Sequence, residues 1–154
     1  MSLVNAGVYA VHLLFAGLWT GSVLFASYAV LPLARDGDLN AAPLAAVAGK
    51  LKIVSRASAL VLLLTGGHMA VQRYTVESLT GSGAGHLVLT MIALWFVLAG
   101  LVEVGAGKLT DGTGKDKVRE PARAARRFFQ GASLVAALLL LNSGVLVAYG
   151  LGIL

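Results

Sequence analysis

His86-Leu-Val-Leu-Thr-Met-Ile-Ala-Leu-Trp-Phe-Val-Leu-Ala-Gly-Leu-Val-Glu-Val104 decides the fold class, because between His86 and Glu103 no side chain can carry a charge. At about 1.5 Å of rise per helical residue, a run of this length matches a hydrocarbon core roughly 30 Å thick. Comparable apolar runs lie near residues 4–31, 57–71 and 128–154. The run at 57–71 is the shortest, but Asn40-Ala-Ala-Pro43 upstream reads as a helix start, and Glu120-Pro121 is a similar entry to the last run. Pro32 with Asp36-Gly37-Asp38, then Ser82-Gly83-Ala84-Gly85, then Asp111-Gly112-Thr113-Gly114 mark three connecting loops. The expectation is an all-α, antiparallel bundle of four transmembrane helices, near 4–31, 43–74, 86–107 and 120–153, forming one integral membrane domain.

Composition agrees. Of 154 residues 58% are hydrophobic and 12% charged, with a mean hydropathy of +0.84, whereas a soluble domain carries roughly 25% charged residues. The first apolar run lacks the basic flank and cleavage site of a signal peptide and reads as retained. There is no cysteine, which excludes disulfides, thiolate metal sites and cysteine nucleophiles. The +5 net charge does not point to nucleic acid, because the basic residues flank apolar runs without interleaved aromatics. Eleven of the twelve Lys and Arg residues lie in or beside the first and third loops, and only Arg73 lies in the second. Positive segments stay on the cytoplasmic side, so both termini and the second loop are expected outside a multi-pass protein of the plasma membrane.

The two hairpins are weakly alike: Val61-Leu-Leu-Leu-Thr-Gly-Gly67 can be laid over Leu138-Leu-Leu-Leu-Asn-Ser-Gly144. Val145 then stands where the first hairpin has His68, so a site would belong to the first hairpin.

Three histidines tend to the outer side. His12 lies roughly 12 Å below the outer entry of the first helix and His68 roughly 9 Å below the outer end of the second, by helical rise. His86 stands at the mouth of the third. Met91 reaches a similar depth, while Met69 points about 100° away from His68 around its helix. Polar side chains in a membrane face the bundle interior, where each histidine either bonds a neighbouring helix or, as the pair His12 and His68, ligates copper, iron or haem. Gly17 and Gly21 form a GxxxG step, and Gly66 and Gly67 precede His68; both suit close helix packing or a flat ligand. Trp19 shares the helical face of His12, as core filler or as a cofactor wall. Toward the cytoplasmic side Arg56 and Glu103 reach similar depth as an ion pair or a gate, and Asn142 and Ser143 read as interhelical glue or a polar path. HExxH, Walker, GxSxG and Cys-pair motifs are all missing, so any enzymology would be redox chemistry at a bound cofactor.

At His12-x6-Trp19-x-Gly21, with Ser55-Arg56 and Leu64-Thr65-Gly66 further on, the chain resembles the membrane domain of the copper-resistance protein D family over essentially its whole length. The first-helix motif is also similar to that of HemJ-type protoporphyrinogen oxidases, in which the corresponding histidine is associated with haem. The resemblance carries over His12, Trp19, Gly21, Arg56, Thr65 and Gly66. Relatives of both kinds usually carry a lysine early on the third helix, where this chain reads Leu89-Thr90-Met91, and methionine-rich copper-collecting segments are missing. The resemblance implies a protein that handles copper at an outward-facing His12, His68 and Met91 site, with Met69 and His86 as additional ligands. The alternatives are a b-type haem protein with His12 and His68 as axial ligands, and an accessory subunit without ligand. Expected partners are the bilayer, a metal donor or redox partner on the outer face, and further copies of the chain.

Overall fold

The computed structural model describes residues 3–153, all of whose regular structure is helical. The helices are α1 (Leu3–Asp36), α2 (Ala41–Arg73), the short α3 (Val76–Gly81), α4 (Gly83–Thr110) and α5 (Arg119–Gly150). By length and composition, α1, α4 and α5 are able to cross a membrane. The N-terminal half of α2 carries Lys50, Lys52 and Arg56 instead of continuous apolar sequence.

Cross-helix bonds set the directions of the long helices. His12 meets Thr65 and Trp19 meets Ser55, so α1 and α2 are antiparallel. Trp95 meets Ala59 and Arg56 meets Glu103, so α2 and α4 are too. Asn142 bonds Leu87 near one end of the α4–α5 pair, and Gly105 faces Phe128 and Phe129 near the other. The first and third connections, with their basic residues, therefore share one end of the bundle, and the histidines lie at the other.

Helix α1 does not stop near Pro32, where the sequence suggested a loop. Proline has no N–H to offer Tyr28, and its ring crowds that carbonyl. The chain widens into a π turn over Ala26–Val30, in which Leu31 N–H donates to the Ala26 carbonyl, and the helix runs on to Asp36. The Ser27 hydroxyl lies 2.8 Å from the Val23 carbonyl and 3.1 Å from that of Phe129, tying the widened turn to α5. The helix ends at Gly37, whose φ of +90° lets its N–H and that of Asp38 both reach the Leu33 carbonyl. The Arg119 guanidinium occupies the space a Cβ there would need.

The glycine-rich second loop is also largely helical. Thr75 and Ser78 form a reciprocal cap that starts α3, and the Ser82 hydroxyl accepts from Gly85 N–H to start α4. Gly85 is buried because a Cβ would collide with the Ser78 and Leu79 carbonyls, so α3 folds directly against the first turn of α4.

Packing is uneven along the bundle. Lipid supplies no hydrophobic drive between helices, so close approach of small residues must provide the attraction. Ala122, Ala125, Phe129, Ala132 and Ala136 repeat at steps of three and four along α5 and are at most 1% exposed. They meet Leu98, Val102, Gly105, Ala106 and Leu109 of α4, all buried. Every buried residue of α1 lies from Trp19 onward, every one of α2 at or before Leu62, and every one of α5 at or before Ala136. In α4 the corresponding half starts at Leu98, with Gly85 the one exception. The basic half is thus a packed core, and toward the histidine end the helices open.

Candidate functional site

His12 is held at the α1–α2 seam in the open half. Its Nδ1 is 2.8 Å from Thr65 Oγ1, and Thr65 Oγ1 is 2.7 Å from the Val61 carbonyl oxygen one turn earlier. The hydroxyl has one proton. Two oxygens at 2.7 Å repel unless a proton lies between them, so that proton goes to Val61 and the Thr65 oxygen accepts from His12 Nδ1–H. This fixes the tautomer through the network: Nε2 carries the free lone pair, and no hydrogen bond engages it among the described residues. Gly66 permits the arrangement, since a Cβ there would stand 3.2 Å from His12 Cε1.

One turn further along α2 comes His68, three residues after Thr65 and hence on nearly the same face. It is exposed, and its Nε2 accepts from the Gln72 side-chain amide at 2.8 Å. Together with Asn5 and Tyr9 of α1 and with Met69, Gln72 and Arg73, it lines a cleft of about 240 Å³ between the two helices at the histidine end of the bundle. Both histidines therefore occupy one seam, one helical turn apart, with His12 beneath the cleft. Met69 lines this cleft beside His68, although its azimuth suggested otherwise. Asn5, Tyr9 and Gln72 escaped the sequence reading; the spacing of Asn5, Tyr9 and His12, and of Thr65, His68, Met69 and Gln72, is the helical signal that groups them.

Other expected members lie apart. His86 is exposed and donates from Nε2 to the Thr80 carbonyl at 2.8 Å, fastening the α3–α4 corner. Met91 is half-buried on α4 and does not line the cleft. Gly17, Gly21 and Gly67 are exposed, with nothing within 4 Å of where a Cβ would stand, so these small residues face away from α1–α2 contacts. Among the described residues no group of three His, Asp or Glu side chains is assembled for a metal ion.

Trp19 belongs to the packed half. It is 1% exposed, donates to Ser55 Oγ at 2.8 Å and meets Trp95 edge-on at 6.5 Å between ring centroids. Trp95 in turn donates to the Ala59 carbonyl at 3.2 Å. Arg56 and Glu103 form a two-pronged pair, with Nη2 2.6 Å from Oε1 and Nε 3.1 Å from Oε2. Asn142 donates to the Leu87 carbonyl at 2.9 Å, bridging α5 and α4 in the open half, and Ser143 beside it is half-buried.

The site's chemical capacity is that of a neutral imidazole with an oriented Nε2, a second imidazole one turn away and a thioether beside it. No family model, curated protein or solved structure matches the chain.

Proposed function

We propose that the chain is a four-span plasma-membrane protein, with both termini outside, that takes up a copper ion as cargo at the outer end of the α1–α2 seam through His12, His68 and Met69. The observation that carries this reading is the Nε2 of His12, which no described residue engages, fixed by Thr65 beneath a cleft that His68 and Met69 line. An outer-shell bond that sets the tautomer and ring orientation is what a ligating histidine requires, and imidazole with thioether suits Cu(I). The resemblance to the copper-resistance protein D family points the same way at His12, Thr65 and Gly66. The fourth span is α2, whose basic half lies at the cytoplasmic surface while its apolar half, with His68, enters the membrane. A metal donor would approach from the outer face. Met91 and His86 stand aside from this ligand set.

Haem b is a poorer fit to the same residues. Axial ligands must face each other across the metal, whereas His12 and His68 share one seam, and direct bonds from His12 to Thr65 and from Trp19 to Ser55 leave no slot for a macrocycle between α1 and α2. One observation favours the ligand-free accessory reading: each of the three histidines already has an intramolecular hydrogen-bond partner.

Metal analysis and absorption spectra of protein loaded with Cu(I) in mild detergent separate the three. Stoichiometric copper that His12→Ala and His68→Ala both abolish supports the site. Copper retained by His12→Ala overturns it, a Soret band that sharpens on reduction moves the protein to haem, and neither signal leaves the accessory role.

A further inference from the structure

At the opposite end of the bundle, Lys108 of α4 and Arg123, Arg126, Arg127 and Gln130 of α5 line a cleft of about 430 Å³. We propose that this cleft binds the headgroup of an anionic phospholipid, its four cations being enough for a headgroup with two phosphates. This inference rests on the bilayer reading of the helices and not on any role of His12.

The excess of positive residues at this end accounts for orientation but not for their arrangement. Arg123, Arg126, Arg127 and Gln130 follow the three- and four-residue steps of one α5 face, and Lys108 reaches the same cleft from another helix. All four cations are exposed, and none has an acidic partner among the described residues, whose ion pairs are Arg56–Glu103 and Lys117–Glu120. Lys117 differs: the hydrogen bond it donates to Glu120 at 2.9 Å satisfies it and holds its amine above the usual lysine range. The cluster's charge, by comparison, is left for an external anion. Arg127 leans over the Phe128 ring with its guanidinium carbon 5.1 Å from the centroid, which leaves its N–H edge available for phosphate.

Depth and surroundings specify a lipid. The cluster ends where the apolar run of α5 begins at Phe128, and Lys108 stands one turn past Val104, the end of the α4 run. This is the level of the phosphates. From the cleft, exposed apolar side chains continue along both helices: Val104 and Val97 on α4, and Leu134, Leu138 and Leu141 on α5. A phosphate-bearing amphiphile seated on the cations would lay its acyl chains along these two stripes. At about 430 Å³ the cleft has room for a hydrated phosphodiester. Basic recesses between membrane helices suit such headgroups.

The test is native mass spectrometry of the detergent-purified full chain titrated with cardiolipin, phosphatidylglycerol or phosphatidylcholine, with inorganic pyrophosphate as the soluble arm. Wild type should retain cardiolipin, and Arg123→Gln/Arg127→Gln should weaken it roughly thirtyfold, about fivefold for each juxtamembrane basic residue removed. Lys50→Gln/Lys115→Gln removes equal charge from the same end and should change binding little. Equal losses in the two double variants, equal retention of phosphatidylcholine, or unchanged binding in the cluster variant would each overturn the proposal. Pyrophosphate bound as tightly as cardiolipin would assign the cleft to a soluble phosphate ligand instead and also overturn it. Carbonate-resistant insertion into phosphatidylcholine vesicles tests the bilayer reading separately, and circular dichroism with thermal melting confirms that both double variants fold.

Discussion

Replacing Thr65 by valine keeps the side-chain shape and removes the single oxygen that joins two groups at the seam between α1 and α2: His12 Nδ1 at 2.8 Å and the Val61 carbonyl at 2.7 Å. The Val61 carbonyl keeps its backbone partner, so the chief loss is the acceptor for His12 Nδ1–H. Side-chain hydrogen bonds between membrane helices measured by double-mutant cycles average about 0.6 kcal/mol and reach about 1.7 kcal/mol. The His12–Thr65 coupling should fall in that range, a factor of roughly three to twenty in the folding equilibrium. It is obtained from unfolding of wild type, Thr65→Val, His12→Phe and the double variant. The proton position is the sharper readout. In wild type, ¹⁵N NMR of labelled histidine should find His12 neutral with its proton on Nδ1, and in Thr65→Val that preference should disappear. If the site carries copper, loss of this orienting bond should cost roughly ten- to a hundredfold in affinity. A wild-type His12 with its proton on Nε2 would overturn this assignment, because the threonine proton would then have to point at imidazole and the short contact to Val61 would be unexplained.

Gly85→Ala should lower stability by about 1–3 kcal/mol, the usual cost of overpacking, since its Cβ meets two carbonyl oxygens that cannot rotate away; thermal melting measures it. Gly100→Ala, with open space around it, should be neutral or raise stability by up to about 1 kcal/mol through helix propensity in the same assay. Glu103→Gln should change stability by no more than about 1 kcal/mol, and Arg56→Gln should be as mild, because the pair is exposed and a lone charge there stays solvated; a loss above about 3 kcal/mol for Glu103→Gln in denaturant titration would mean the pair is desolvated. A topology reporter fused after Leu154 should report the outer side and one inserted at residues 111–118 the cytoplasm; the reverse result would invert the positive-inside assignment.

The long helices were legible because uninterrupted apolar sequence has few other solutions, and Asn40 and Glu120-Pro121 marked helix starts to within a residue or two of the observed ones. Two breakers misled. Pro32 reads as a stop, yet a π turn accommodates it where Ser27 can bond α5, and that option depends on a neighbour the local sequence does not name. Ser82-Gly83-Ala84-Gly85 reads as a loop, yet Ser82 caps a helix there and Gly85 serves close approach. Level along the bundle also follows from counting residues: His12 meets Thr65 of α2, one turn from His68. Rotation about each helix axis does not. Low hydrophobic asymmetry in a lipid-exposed helix leaves its buried face undefined, so Gly17 and Gly21 could be placed in a pocket that they face away from. Trp19 likewise could be read as a cofactor wall when its indole N–H is committed to Ser55.

The two halves of the bundle divide the work in a way that follows from how each is held together. In the basic half, alanines and glycines let α4 and α5 approach closely, and Trp19, Phe129 and Leu98 fill the remaining space with almost no exposure. Dispersion over that contact area is the main attraction available in lipid, so this half supplies the stability. In the histidine half Gly85 against α3 is the one comparable contact among the described residues, and the helices are joined by discrete polar bonds: His12 to Thr65, Asn142 to the Leu87 carbonyl, His86 to the Thr80 carbonyl. Each such bond is worth little and can be exchanged for a bond to something else at little net cost. An end built this way can exchange its polar bonds without disturbing the core, whereas the same groups set among the alanines of the other half would be locked in place. The polar side chains therefore stand where the packing is loosest, so under the copper reading proposed above it is the open half, rather than any single histidine, that would let a bound ion exchange.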